Sequence, residues 1–186
     1  MKVKITFFED ILGTCSGNPE IQIEKSMTVF PRESGQPFLW DYQVKGFLKY
    51  ACSMLRRVPG TLSSKLTAHK KVIDGLVFPG PRKIMLDLNG GAMGECQRPL
   101  RGQTAQGERI ALAHSETCPE GTSIVVEFTM LNDKLDDHLR EWLDYGFLRG
   151  LGQWRNSGKG RFIWEEVLLD QGECKEEKRG QNARVE

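Results

Sequence analysis

No apolar run in this chain approaches the roughly 20 residues a membrane-spanning helix needs, so no helical span is expected. The N-terminus, MKVKITFFEDILG, lacks the apolar core and small-residue cleavage site of a signal peptide and reads instead as a strand. The five cysteines, Cys15, Cys52, Cys96, Cys118 and Cys174, are odd in number and contain no C-x-x-C pair. That argues against a disulfide scaffold or a cysteine-rich zinc site and fits a reducing, cytoplasmic compartment. There is no phosphate-binding P-loop, no dinucleotide fingerprint and no G-x-S-x-G nucleophile elbow. Asp10, Asp41, Asp74 and Asp87 are scattered without the spacing of a two-metal centre. No cofactor and no metal are expected.

Net charge is also nearly missing, at +1, but its distribution is uneven. Between Arg56 and Arg109 ten Lys/Arg stand against four Asp/Glu, and between Arg149 and Arg161 four cations stand against no acid. The segment 133–144 and the tail beyond Trp164 are rich in acids. The molecule should present one basic and one acidic face. Its 186 residues suffice for one domain with its own core.

Val3, Ile5 and Phe7 alternate with Lys2, Lys4 and Thr6, the period of a half-buried strand, which ends in the turn-rich GTCSGNP. Trp40, Val44, Phe47, Leu48, Ala51, Leu55 and Val58 recur at helical steps and stop at Pro59-Gly60. The middle reads as strands over 72–78 and 83–88, a loop over 90–107, and a hairpin of 109–115 with 122–130 around CPEG. Asn132 or Asp133 can cap a second helix, whose apolar stripe is Leu135, Leu139, Trp142, Leu143 and Phe147. Residues 161–169 read as a last strand, and 171–186 as a polar, disordered tail. The order predicts an α+β, ferredoxin-like (RRM-like) β-α-β-β-α-β core over 1–170, with large insertions within about 59–122.

The stretch 148-LRGLGQWRNSGKGRFIW-164 is the sharpest local signal. Gly150 and Gly152, then five residues, then Gly158 and Gly160, lie between the second helix and the last strand. Such glycines permit positive φ and close backbone approach, as in a tight connection, and exposed amides there receive anionic oxygens. Arg155, Lys159 and Arg161 supply charge, and Trp154 a ring for base stacking. This pattern in a ferredoxin-like order resembles the RAMP superfamily of CRISPR-associated proteins, the Cas5, Cas6 and Cas7 types. In that family the loop lies against RNA, and a hydrophobic residue usually stands where Lys159 stands here. ILGTCSGNP, LRRVPGT and QRPLRGQTAQGERIALAHSE also resemble an uncharacterised group of phage and prophage proteins.

Further basic groups extend the candidate surface. Arg98, Arg101, Gln103 and Arg109 lie in a stretch rich in Arg, Gln and Thr, suited to phosphates and bases and similar to the flexible finger of Cas7-like proteins. Arg56, Arg57, Lys70 and Lys71 form another cluster. His69 lies among lysines, which favour its neutral form, and is the one catalytic candidate if the chain resembles the Cas6-type metal-independent RNases. His114 and Glu116 are placed to pair on one strand face, and His138 should be exposed. Trp40 and Trp142 are assigned to the core. Phe162 and Trp164 share a face, buried under the helices or open as a stacking platform. The resulting expectation is a non-catalytic binder of single-stranded RNA or DNA in a bacterial cytoplasm, assembling as copies along the strand or with CRISPR ribonucleoprotein subunits. The alternatives are a Cas6-like endoribonuclease and a phage-encoded protein that interferes with a CRISPR complex through protein contacts.

Overall fold

A computed structural model describes residues 1–16, 27–104 and 107–167. The expected tail at 171–186 lies outside them. The strands are β1 (Lys2–Phe7), β2 (Ile11–Leu12), β3 (Cys15–Ser16), β4 (Met27–Val29), β5 (Arg32–Glu33), β6 (Gln36–Trp40), β7 (Val77–Gly80), β8 (Lys83–Met85), β9 (Gly94–Thr104), β10 (Gly107–Cys118), β11 (Ser123–Met130) and β12 (Phe162–Glu166). The helices are α1 (Asp41–Leu55), α2 (His69–Leu76) and α3 (Asp136–Asp144). The class is α+β, as expected.

The central layer is an antiparallel sheet in the order β12-β1-β11-β7. In chain order its strands and covering helices run β1, α1, β7, β11, α3, β12, with α2 inserted after α1. The alternation seen in the sequence sends Val3, Ile5 and Phe7 of β1 inward with Ile124, Val126 and Phe128 of β11. There they meet Val44, Phe47, Leu48 and Ala51 of α1 and Leu139, Trp142 and Leu143 of α3. Phe162 sits between Phe7 and Phe47 with ring centroids 5.9 and 5.2 Å away, tying β12 to this core. The edge position of β7 accommodates Pro79, which has no N–H to donate.

Both expected main helices form. Gln43 Oε1 accepts the Trp40 N–H at 2.9 Å at the start of α1, and Asn132 Oδ1 accepts the Lys134 N–H at 3.1 Å ahead of α3. Val58 and Phe147, assigned to the two apolar stripes, fall outside the α-helices and are exposed.

Three expectations for the middle are corrected. Residues 69–76 are the helix α2, not a strand. Their apolar residues pack at helical steps, with Ile73 fully buried and Val72 and Leu76 half-buried on α1 and the core. The presumed loop over 90–107 is largely the strand β9, paired with β10 through eleven residue pairs from Gly107↔Thr104 to Thr117↔Gly94. The segment CPEG does not close a hairpin, because β10 and β11 belong to different sheets. The far edge of β10 instead pairs with β2 and, in parallel, with β4, while β3 completes that second sheet. A third small sheet, β5-β6-β8, leads into α1.

Candidate nucleic-acid interface

The glycine loop leaves α3 through a 3-10 turn at Tyr145–Phe147 and closes on itself. The Leu151 N–H donates to the Gly160 carbonyl at 2.9 Å, and the Gly160 N–H donates to the Asp10 carbonyl at 2.8 Å. A Cβ on Gly150 would lie 2.0 Å from the Gly160 carbonyl carbon, and one on Gly160 (φ +70°) would lie 1.8 Å from the Leu151 carbonyl oxygen. These two glycines are therefore the neck of the loop, where two backbone segments touch with no room for a side chain. Leu151 plugs the core beneath it. Gly152 rests on the Leu12 backbone, which places the neck over β2 and, through β2, against the β9–β10 ribbon.

Between the neck glycines the chain makes a short 3-10 turn at Arg155–Ser157. Trp154 precedes it in the left-handed region (φ +50°), and its carbonyl accepts both the Ser157 N–H at 2.9 Å and the Ser157 Oγ–H at 2.8 Å. Left-handed geometry costs a non-glycine residue about 1–2 kcal/mol, so the turn is held by its hydrogen bonds and the neck. The Trp154 ring is half-buried and joins none of the aromatic pairs among the described residues.

The cations divide into two groups. Lys159 Nζ pairs with Asp10 at 2.7 Å, and the bond to Asp10 is the main cause of its raised pKa. Arg161 pairs with Glu9 at 3.0 Å and lies over the Phe8 ring. These two charges are matched by carboxylates of the β1–β2 connection. Lys159, which replaces the apolar residue usual in the resembling family, is a strap from the loop to that connection. Cys96 of β9 lies within electrostatic range of the same ammonium.

Arg155 belongs to the second group, together with Arg149, which was counted in the sequence as a charge only. Their guanidinium carbons lie 5.4 and 4.7 Å from the centroid of the same Tyr50 ring on α1. No carboxylate pairs with either arginine among the described residues. Burial, then repulsion from Arg149, lowers the pKa of Arg155. Arg149 Nε is buried without a hydrogen-bond partner. Tyr145 lies 6.4 Å from Tyr50, and burial raises its phenol pKa.

The remaining candidates are distributed elsewhere. Arg98 is exposed on β9 opposite Ala113. Arg101, Gln103 and Arg109 sit in the ribbon's register opposite Ile110, Glu108 and Gly102, with side chains outside the described residues. Arg57, Lys70 and Lys71 are exposed around α2, whereas Arg56 donates to His69 Nδ1 at 2.9 Å. His69 is buried, and burial, then Arg56 and Lys70, push its pKa down. Its neutral ring joins the end of α1 to the start of α2.

Trp40 departs from the core assignment. It is half-buried, nearly parallel to Tyr42 at 6.3 Å, with Arg82 over it. Trp142 is fully buried and donates to Ser63 Oγ at 2.8 Å. Phe162 is buried and Trp164 lies on the helical side, donating to Asp144 at 2.9 Å. The pair therefore provides no platform on the open face of the sheet. Glu116 accepts from Phe30 N at 2.9 Å and pairs with Arg32 at 2.6 Å, so it has these partners in place of His114. His138 is half-buried, 6.0 Å from the Trp142 ring. No described helix is long and apolar enough to cross a membrane.

No family model matches the chain, and no curated protein matches it. Solved structures do. A chain in the cryo-EM structure of the Type III-B Cmr-beta complex bound to cognate target RNA superposes with a TM-score of 0.57 at 13% identity. The match covers 89% of this chain and 58% of that one, so this protein spans a little over half its length. The fold is shared with a CRISPR effector subunit. A chain of a Type IV-B CRISPR complex also matches, with a TM-score of 0.49 at 11% identity, covering 96% of this chain and 94% of that one.

Proposed function

We propose that this protein is a non-catalytic, ferredoxin-like subunit of the RAMP type that binds single-stranded RNA and works within a CRISPR ribonucleoprotein. The observation that carries the reading is the pair Arg149 and Arg155, two cations over one tyrosine at the closed neck of the glycine loop, with no carboxylate partner among the described residues. Half-buried like charges with no acid partner repel each other, and an anion from outside relieves that cost. Trp154 at the tip offers a ring for stacking, and the β9–β10 ribbon, with Arg98, Arg101, Gln103 and Arg109 on it, rises beside the neck. The fold likeness to a chain from an RNA-bound Cmr structure supports the same assignment. Copies arranged Cas7-like along the strand would place the ribbon of one against the loop of the next.

The test is binding of a fluorescent single-stranded oligonucleotide at several salt concentrations. Single strands release about 0.7 counterion per phosphate contact. With two to four contacts, affinity should fall about 7- to 50-fold between 50 and 200 mM salt. Absence of binding at low salt, or binding indifferent to salt, would refute the proposal. Stoichiometry rising with oligonucleotide length supports assembly along the strand.

A further inference from the structure

We infer that Arg149, Arg155 and Tyr50 form a site for the terminal phosphate monoester of a bound strand, distinct from contacts along its backbone. The inference rests on the reading of the chain as a single-strand binder, and it names which part of the strand meets this cluster.

The argument starts from charge matching. The loop carries four cations, and two of them already have a carboxylate each: Lys159 has Asp10 and Arg161 has Glu9. Among the described residues Arg149 and Arg155 have only the face of Tyr50, which attracts cations weakly through its quadrupole and does not cancel their charge. The site therefore holds two positive charges in a half-buried setting. An internal phosphodiester brings one negative charge. A terminal monoester brings about 1.5 to 2 at neutral pH, with three acceptor oxygens.

Geometry agrees with charge. Guanidinium groups present N–H donors in a planar fork that suits phosphate oxygens, and two forks can divide three oxygens between them. The two arginines are also held in place. Arg149 immediately precedes the neck at Gly150, and Arg155 begins the 3-10 turn whose first carbonyl is fixed by Ser157. Tyr50 comes from α1, whose position is set by the core. A monoester would meet donors that need little reordering.

One oligoribonucleotide sequence, labelled internally, is prepared with a 5′-phosphate, with a 3′-phosphate, and with hydroxyls at both ends. Affinities for the three strands are compared at fixed salt. One phosphorylated strand should bind about 10-fold more tightly than the hydroxyl-ended strand, and which one does so identifies the end that is held. In Arg149→Gln and Arg155→Gln, which keep much of the side-chain stem, that preference should vanish while the hydroxyl-ended strand still binds. Equal affinity of the wild-type protein for all three strands overturns the terminal-phosphate site and leaves single-strand binding standing. A preference that survives both substitutions overturns the assignment to these arginines. Absence of binding to every strand overturns both this inference and the function beneath it. The wild-type comparison needs no variant, so it decides the matter even if a substitution destabilises the loop.

Discussion

Gly158 and Gly160 both have positive φ, +83° and +70°, yet replacing them with alanine should have very different consequences. Around Gly158 an added Cβ meets nothing nearer than 3.6 Å, the Nε of a flexible arginine. Gly158→Ala therefore loses only the backbone preference, about 1 kcal/mol. At Gly160 the same methyl would sit 1.8 Å from the Leu151 carbonyl oxygen, well inside the separation two such atoms accept. The neck must open, which strains or breaks the Leu151 N–H to Gly160 and Gly160 N–H to Asp10 hydrogen bonds. Two such bonds at about 0.5–1.5 kcal/mol each, together with overpacking of about 1–3 and the backbone term of about 1, suggest a loss of about 3–7 kcal/mol. For a protein of this size that corresponds to a fall in Tm of about 6–28 °C, against about 2–4 °C for Gly158→Ala. Urea denaturation at 25 °C, with Tm from scanning calorimetry, measures both variants. Equal losses in the two would show that the neck is not closed by backbone contact, and the description of the loop would be wrong.

Trp154→Ala should weaken binding of a single strand by about 1–3 kcal/mol, the usual worth of one base–aromatic stack, with little change in Tm. Unaltered affinity would remove Trp154 from the interface. His69 has its pKa lowered in the folded protein, so below its ordinary value of 6.5 the unfolded chain binds the proton first. Stability from this group is present above about pH 6.5 and is lost as pH falls through 6.5 toward the folded value. Urea midpoints of the wild type and His69→Asn, followed from pH 7.5 to 5, should converge as pH falls, and parallel curves would refute the linkage.

The first strand, both main helices and the last strand were legible because each buries one face and so carries a clean period of two or of three to four. The middle was not. Val72, Ile73, Leu76, Val77 and Phe78 read as a continuous apolar run, yet the first three belong to α2 and the last two to β7. A short apolar run leaves helix and strand undistinguished. In β9 Pro99, Gly102 and exposed polar residues hide the strand, since a ribbon wetted on much of its surface needs no apolar alternation. The glycine spacing marked the loop that closes on itself. It did not separate the neck glycines, where backbone segments touch, from Gly158, which only caps a turn. Arg149 was missed as a site residue because its significance depends on Tyr50, about a hundred positions earlier in the chain, and on the absence of a nearby acid. Lys159 looked like a departure from a family pattern until its contact with Asp10, still more distant in sequence, gave it a purpose.

β1 runs from Lys2 at one end of the central sheet to Phe7 at the other. Val167 donates to the Lys2 carbonyl at 2.8 Å, and Phe8 donates to the Arg161 carbonyl at 3.1 Å. The strand thus acts as a ruler. Six steps of about 3.3 Å from Lys2 to Phe8 put the glycine neck about 20 Å from the paired ends at Lys2 and Val167. That separation suits energy transfer between a donor dye at residue 1 and an acceptor on a bound strand. A fusion at residue 1 would leave the loop free, and if the proposed binding to a single strand holds, the order of such fusions along it would report the direction in which the copies face.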